Sequence, residues 1–129
     1  MKLVKCDVCQ NVYELIGGPG NCVGTCCGKD MRVLKAGEVD AATEKHVPVV
    51  SQDQQTLTVV VGDVEHPMLE EHYITNIWVE YADGSVERAS LLPGAAPKAT
   101  FDVKGRSGQA TVYEYCNLHG LWKTTFTIE

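Results

Sequence analysis

The stretch Ile74-Thr-Asn-Ile-Trp-Val-Glu-Tyr-Ala-Asp-Gly84 decides the fold of this chain. Within it, Ile77, Val79 and Tyr81 recur at every second position, the period that places side chains on one face of a β-strand. The pair Asp83-Gly84 comes at its end and favours the tight turn of a β-hairpin. The stretch therefore predicts a strand that turns back and pairs antiparallel with the segment that follows it.

Further segments with the composition of strands lie on both sides of this hairpin, separated by turn residues at short and regular spacing. The predicted strands are Leu57–Val61, Ile74–Tyr81, Ser85–Leu92, Thr100–Lys104, Ala110–Tyr115 and Lys123–Ile128. No segment has the sustained period of an amphipathic helix. We therefore expect residues 37–129 to form a mainly β domain, an antiparallel immunoglobulin-like β-sandwich of about seven strands.

The first 36 residues have a different character, which their cysteines set. Cys6-Asp-Val-Cys9 has the C-x-x-C spacing that lets two thiolates bind one ion, and the adjacent pair Cys26-Cys27 lies further along. Between them, Gly17-Gly-Pro-Gly20 permits the chain reversal that brings the two pairs together. Four thiolates around one ion suit iron or zinc. Because so small a unit needs the metal to fold, we predict a four-cysteine metal-binding domain over residues 1–36.

Charge and cysteine content exclude several classes of function. The formal net charge of −6 argues against nucleic acid as a partner. The charge is uneven, because residues 1–36 hold five cations and three carboxylates, about +2, which leaves about −8 for the remainder. No apolar run is long enough for a signal peptide or a membrane span, so we expect a cytoplasmic protein. In that reducing compartment the six cysteines should be metal ligands, although a secreted disulfide protein could use the same six.

The histidines indicate a second site. The chain has four, and each lies in a polar connector between predicted strands, where loops at one end of a sandwich can assemble a site. His119 follows Cys116 by three residues, which is close enough for both side chains to bind one ion. Neutral imidazoles and one thiolate suit iron or copper by ligand softness. We therefore predict one centre with five ligands: His46, His66, His72, Cys116 and His119.

Both sets of residues resemble known iron proteins. The cysteines of the first unit, with Gly28-Lys-Asp-Met31 after them, resemble desulforedoxin, a small rubredoxin relative with one iron. Cys22 is outside that pattern and is interpreted as a free loop thiol, with a competing ligand or a disulfide partner as the alternative. The second set resembles superoxide reductase through four motifs: Glu44-Lys45-His46-Val-Pro, His66-Pro-Met, His72-Tyr-Ile and Cys116-Asn-Leu-His119-Gly. Nearly the whole chain resembles the desulfoferrodoxin family, the two-iron form of superoxide reductase.

The resemblance implies cofactors, a reaction and partners. It implies one iron held by Cys6, Cys9, Cys26 and Cys27, where zinc is also possible, and a ferrous iron with four equatorial histidines, axial Cys116 and an open sixth position. The implied reaction is the one-electron reduction of superoxide to hydrogen peroxide, with electrons from a rubredoxin-type donor, in a homodimer. Glu44 and Lys45 match the family residues beside the open position. Lys45 would steer superoxide, and Glu44 would occupy the open position in the oxidised resting form.

Three other functions are compatible with these residues. A superoxide dismutase would turn over without an external electron donor. A rubredoxin-like electron-transfer protein would hold the second metal without substrate chemistry, and binding of azide or cyanide at an open position would argue against it. A zinc-binding interaction module would use the cysteine unit for zinc and the β-body for binding, and metal analysis would identify it.

Overall fold

The computed structural model describes residues 1–129, and the chain divides into two compact units, Met1–Lys35 and Ala36–Glu129. Nearly all of the regular structure is β-strand, and all strand pairings are antiparallel. The structure contains no helix with the length and apolar character of a membrane span. The mainly β fold class predicted from the sequence is confirmed.

The first unit contains five short strands: β1 (Lys2–Lys5), β2 (Val12–Leu15), β3 (Thr25–Cys26), β4 (Lys29–Asp30) and β5 (Arg32–Val33). They form a three-stranded sheet in the order β2-β1-β5 and a hairpin of β3 and β4. The buried hydrophobic residues of this unit are Leu3, Val4, Cys6 and Leu34. So small a set cannot supply an ordinary core, and the stability of this unit must depend on its cysteine cluster.

The second unit contains one helical turn and seven strands: α1 (Thr43–His46), β6 (Pro48–Asp53), β7 (Thr56–Val61), β8 (Ile74–Glu80), β9 (Val86–Ser90), β10 (Lys98–Asp102), β11 (Gly108–Cys116) and β12 (Gly120–Ile128). One sheet has the strand order β10-β7-β6 and the other has the order β12-β11-β8-β9. Leu57 and Phe101 of the first sheet join Ile77 and Val112 of the second in one buried cluster. The sheets therefore pack face to face, and the predicted antiparallel sandwich is confirmed.

Alternation along the strands produces this core. Leu57, Val59 and Val61 are fully buried at every second position of β7. Burial of each such side chain contributes about 1.5–3 kcal/mol. The predicted hairpin turn is present as well, because Asp83 Oδ1 accepts a hydrogen bond from the Ser85 N–H at 2.9 Å between β8 and β9. The alternation from which the strands are predicted therefore also places their apolar side chains in the core.

Three local features differ from the expectation. β6 is missing from the predicted strands, because it is an edge strand whose second half is polar and whose two valines are adjacent rather than alternating. The polar connector that carries His46 contains α1, a single turn too short to show a helical period. Cys116, expected in the turn between the last two strands, is instead the final residue of β11 and pairs with Gly120.

The strand registers bring the predicted ligands to one end of the sandwich. Pro48 pairs with Val61, so α1 and the connection after β7 lie at the same end. Cys116 pairs with both Ile74 and Gly120, which places the β11–β12 turn beside the start of β8. The opposite end holds the β6–β7 turn. The sandwich therefore serves as a rigid support for a site assembled from three connections.

Candidate metal centres

Four imidazole rings form a closed square at this end of the sandwich. Neighbouring ring centroids lie 4.7–5.0 Å apart, and the rings meet edge to face at 75–88°. The order around the square is His46, His66, His72, His119 and back to His46. With Cys116, the five donor atoms all lie within 4.8 Å of one another. The structure thus brings together all five predicted ligands of the second centre.

Two neighbouring rings of the square point the lone pairs of their Nε2 nitrogens at each other. His46 Nδ1 lies 2.7 Å from the carbonyl oxygen of Ala42, and His66 Nδ1 lies 2.7 Å from that of Pro67. Because a carbonyl only accepts, both Nδ1 atoms carry the proton, and Nε2 of each neutral ring has only a lone pair. These two Nε2 atoms are nevertheless 3.2 Å apart. Burial lowers the pKa of His46 and lowers that of His66 to about 4, so protonation does not relieve the contact at neutral pH and a bound cation does.

The spacing of the nitrogens fits a transition metal. Nε2 of His46 lies 3.0 Å from Nδ1 of His119 and 3.2 Å from Nε2 of His66. Donors at right angles around an ion, with bonds of about 2.1 Å, are about 3.0 Å apart. Nε2 of His72 is buried without a hydrogen-bond partner and completes the set. Three rings therefore present Nε2 to the centre, and His119 presents Nδ1.

Cys116 supplies the fifth donor, from a fully buried side chain whose Sγ lies 3.9 Å from His119 Nδ1. Burial raises the pKa of its thiol, while hydrogen bonds from the backbone N–H groups of His119 and Leu118 act in the opposite direction. Trp122 encloses the site by stacking on His46 at 5.1 Å and donating its Nε1–H to the carbonyl oxygen of His119 at 3.0 Å. One thiolate and four neutral imidazoles are a donor set that fits iron.

Glu44 and Lys45 precede His46 on α1, and both side chains are exposed. The backbone of this turn packs on Gly62, which has a φ of +87°. A Cβ at Gly62 would meet the carbonyl oxygen of Val64 and would lie 2.7 Å from that of Lys45 and 2.9 Å from that of Glu44. Only glycine therefore allows the connection after β7 to approach α1 this closely.

The four cysteines predicted for the first centre form a second cluster. Sγ of Cys26 lies 3.8 Å from that of Cys9 and 3.9 Å from that of Cys27. Sulfurs at the corners of a tetrahedron with metal–sulfur bonds of about 2.3 Å are about 3.8 Å apart. Adjacent side chains normally diverge, but Cys27 adopts a left-handed backbone conformation with a φ of 53°, and its sulfur stays close to that of Cys26. The remaining thiol of this unit, Cys22, is exposed and outside the cluster.

The electrostatics of this cluster also favour a bound cation. The backbone N–H of Cys9 donates to Cys6 Sγ at 3.4 Å and lowers the pKa of Cys6 to about 6. Hydrogen bonding with the sulfurs of Cys6 and Cys9 raises the pKa of Cys26 to about 12. The first thiolate to form thus opposes the formation of the others. Four thiolates in contact therefore need a metal ion, and this set fits iron or zinc.

Glu114 belongs to the surroundings of the second centre and is absent from the sequence-based prediction. It lies two residues before Cys116 on β11, its side chain is fully buried, and neither carboxylate oxygen has a hydrogen-bond partner. Burial raises the pKa of this carboxyl well above its usual value. The signal in the sequence is slight: a single glutamate at an inward position of an alternating strand.

Replacing Glu114 by Gln should stabilise the protein increasingly as pH rises from about 5 to 8. The unfolded chain releases the Glu114 proton near pH 4.3, whereas the folded state retains it to higher pH, so the native state loses stability with rising pH through this window. Gln does not ionise, so the difference in unfolding free energy between the two proteins should move in favour of Gln as pH rises. Denaturant unfolding of both proteins at several pH values measures it.

A matched control for this prediction is Asp53→Asn, which removes an exposed carboxylate at the far end of the sandwich. Its stability should follow that of the unsubstituted protein at each pH. A constant difference between Glu114→Gln and the unsubstituted protein from pH 5 to 8 would contradict a buried, protonated Glu114.

Comparisons with known proteins agree with this arrangement. The sequence model of the desulfoferrodoxin family matches residues 38–125. A desulfoferrodoxin from Syntrophotalea carbinolica is 45% identical over 126 residues, which cover 96% of this chain and 95% of that protein. A superoxide reductase from Thermococcus kodakarensis is 32% identical over 114 residues, 76% of this chain and 97% of that protein. The crystal structure of the superoxide reductase from Treponema pallidum superposes with a TM-score of 0.71 at 31% identity, over 94% of this chain and 98% of that one. With its two clusters of ligands in place, this chain belongs to the desulfoferrodoxin family.

Proposed function

We propose that this protein is a superoxide reductase that works at the five-ligand centre with electrons from another protein. The observation that carries the proposal is the donor set, a square of four imidazoles with one buried thiolate. An ion that takes six ligands keeps one position free for a small molecule when the protein supplies five. Similar proteins and structures named superoxide reductase support the assignment.

The reaction consumes one superoxide, one electron and two protons and yields one hydrogen peroxide. When bound, ferrous iron supplies the electron at the free coordination position. The imidazoles add no charge, since a histidine binds a metal ion through the lone pair of its neutral ring. The Cys116 thiolate contributes one negative charge, so the loaded centre keeps a net charge of +1 that favours an anionic substrate. The same thiolate donates electron density to the ion and favours electron transfer.

Glu44 and Lys45 are proposed to control access to the free position. Their place directly before His46 and their exposure support this role. The Lys45 ammonium locally offsets the charge of about −8 on residues 37–129, draws superoxide towards the centre and holds a water molecule that can deliver a proton. Glu44 is proposed to occupy the free position in the oxidised protein and to leave it on reduction.

The test of the proposed reaction is its stoichiometry. Protein that has been reduced and freed of excess reductant is mixed with superoxide, and hydrogen peroxide and oxygen are measured. We expect one superoxide consumed and one hydrogen peroxide formed per centre, without release of oxygen, and then no further reaction until the protein is reduced again. Continued consumption with release of oxygen would identify a dismutase. A centre that superoxide does not oxidise would indicate an electron carrier.

A rubredoxin-type protein is proposed as the electron donor, since the reaction needs one electron at a time. The partial exposure of His72 and His119 supports a route, because an outer carrier can reach these two ligands while His46, His66 and Cys116 are buried. Stopped-flow mixing of the oxidised protein with a reduced rubredoxin should restore the ferrous spectrum. A failure to do so at micromolar concentrations would exclude this class of donor.

Residues 1–36 and 37–129 are proposed to be separate domains, with the metal of the four-cysteine site serving a structural role. The two compact units and the closed set of four thiolates support this division, because such a site leaves no position for substrate. Replacing Cys26 and Cys27 together by Ser should remove the first metal and its absorption. The rate of superoxide reduction should stay within about twofold, since the second centre has its own scaffold.

The exposed Cys22 provides the control for this double variant, and Cys22→Ser should keep both metals. Near-complete loss of superoxide reduction in a folded Cys26→Ser, Cys27→Ser protein with iron at the second centre would contradict a purely structural first site.

The protein is also proposed to be a homodimer in the cytoplasm. Support for the dimer comes from the edge strand β2 of the first unit, where Tyr13 is 43% exposed, and from Ile16 just after it, which is 89% exposed. Support for a reducing compartment comes from the five cysteines in the two ligand clusters, which must stay as thiolates to bind metal. Sedimentation analysis of the iron-loaded protein tests the dimer.

A further inference from the structure

Asn117 is not one of the five ligands, but its hydrogen bonds connect two of the segments that carry them. Its side-chain Oδ1 accepts a hydrogen bond from the Tyr73 N–H at 2.8 Å, and its Nδ2–H donates to the carbonyl oxygen of Glu71 at 3.0 Å. Its backbone N–H donates to the carbonyl oxygen of Tyr73 at 3.2 Å. The backbone groups on both sides of His72 are thus bound to one residue, which itself follows Cys116.

The end of the β8–β11 ladder explains why a side chain is needed here. The regular pairing runs to Tyr115 and Asn76, then shifts by a bulge to Cys116 and Ile74. This pair ends the regular ladder, and Tyr73 is the first residue outside β8. The Asn117 amide continues the pairing, since one carboxamide offers both an acceptor and a donor.

His72 differs from His46 and His66 in how its ring is held in place. The rings of His46 and His66 are each oriented by a hydrogen bond from Nδ1 to a carbonyl oxygen. The His72 ring has no such hydrogen bond to a carbonyl oxygen, and its buried Nε2 has no hydrogen-bond partner. Its backbone is fixed by a two-residue bridge with Leu69 and, through its neighbours, by Asn117.

We propose that Asn117 is a positioning residue that holds His72 in register with Cys116 and His119. The amide fixes the segment that carries one ligand against the turn that carries two, so the fourth corner of the square depends on it. Groups that orient metal ligands from outside typically contribute 10–100-fold to metal affinity. The proposal concerns the retention of iron by the five-ligand centre and does not require that the centre reduce superoxide.

The experiment compares iron release from the full-length, two-iron protein in excess chelator. The two irons have different ligand sets, so their absorption changes can be followed separately. Asn117→Ala should release iron from the five-ligand centre about 10-fold faster than the unsubstituted protein, with the metal of the four-cysteine site unaffected. Asn117→Asp keeps the acceptor for Tyr73 N–H and loses the donor to Glu71, so its rate should lie between the two.

The control is Asn76→Ala, which removes a side-chain amide that donates to Ser90 Oγ on β9 at 3.1 Å rather than to a segment that carries a ligand. It should release iron at the same rate as the unsubstituted protein.

A second arm places Asn117→Ala in a His72→Ala background, where it should produce no further acceleration because the residue acts through His72. Equal acceleration in both backgrounds, or none in either, would overturn the proposal. A protein that binds iron normally but leaves superoxide unreduced would contradict the proposed function alone.

Discussion

Replacing Cys116 by Ala is expected to abolish superoxide reduction and to remove the thiolate-to-iron absorption that the second centre should show on oxidation. Cys116 is fully buried at the end of β11, and it is the only cysteine in the cluster with the four histidines. The substitution therefore removes the one thiolate of this ligand cluster. The loss of rate should exceed about 100-fold, the upper range for groups that act on a metal from further away.

The measurement is visible absorption before and after oxidation, together with the rate of superoxide consumption. Cys22→Ala is the matched control, because it removes an exposed thiol outside both clusters and should alter neither quantity. A Cys116→Ala protein that keeps the oxidised-state band would place the thiolate ligand elsewhere and would contradict the centre described above.

The Lys45→Ala variant should show the second-largest effect, a fall of about 10-fold in the second-order rate with superoxide at low ionic strength. The chain carries a net charge of −6, so it repels an anionic substrate overall, and the cation before His46 is proposed to provide a local attraction. Since salt screens this attraction over about 10 Å at 0.1 M, the variant should also lose much of the dependence of rate on ionic strength.

Lys104→Ala tests whether the effect on the rate depends on the position of the lysine or only on its charge. Lys104 follows Val103, whose N–H bonds to the carbonyl oxygen of Gln55 at the β6–β7 turn, so it lies at the opposite end of the sandwich. This variant changes the net charge by the same amount and should leave the rate nearly unchanged. A rate at low salt that Lys45→Ala does not alter would exclude steering by Lys45.

Most of the sandwich is predictable from the sequence, because its strands alternate between core and solvent. The six predicted strands correspond to β7 to β12, and their hairpin turn at Asp83 and Gly84 forms as expected. β6 is not predictable in this way, since an edge strand with Ser51, Gln52 and Asp53 has no clear inward face. Its position depends on pairing with β7, which is a property of the fold and not of the segment.

The ligands are accessible to sequence reasoning because imidazoles and thiolates are rare and chemically distinctive. The groups around them are not, because their roles follow from where the fold places them. Glu114 is identified by its burial without a partner, and Asn117 by hydrogen bonds to Glu71 and Tyr73, more than forty positions away in the chain. From the sequence alone, without this burial and these hydrogen bonds, a glutamate and an asparagine are interpreted as ordinary surface residues.

The mixed use of ring nitrogens in the square has a consequence for probing the centre by substitution. His46, His66 and His72 present Nε2, whereas His119 presents Nδ1, which is closer to the backbone. The terminal amide of glutamine reaches about as far as Nε2, and that of asparagine about as far as Nδ1. Shape-matched replacements therefore differ by position: glutamine is the near-isostere at the first three sites and asparagine at His119. A uniform alanine series would instead confound lost coordination with the empty volume that each missing ring leaves.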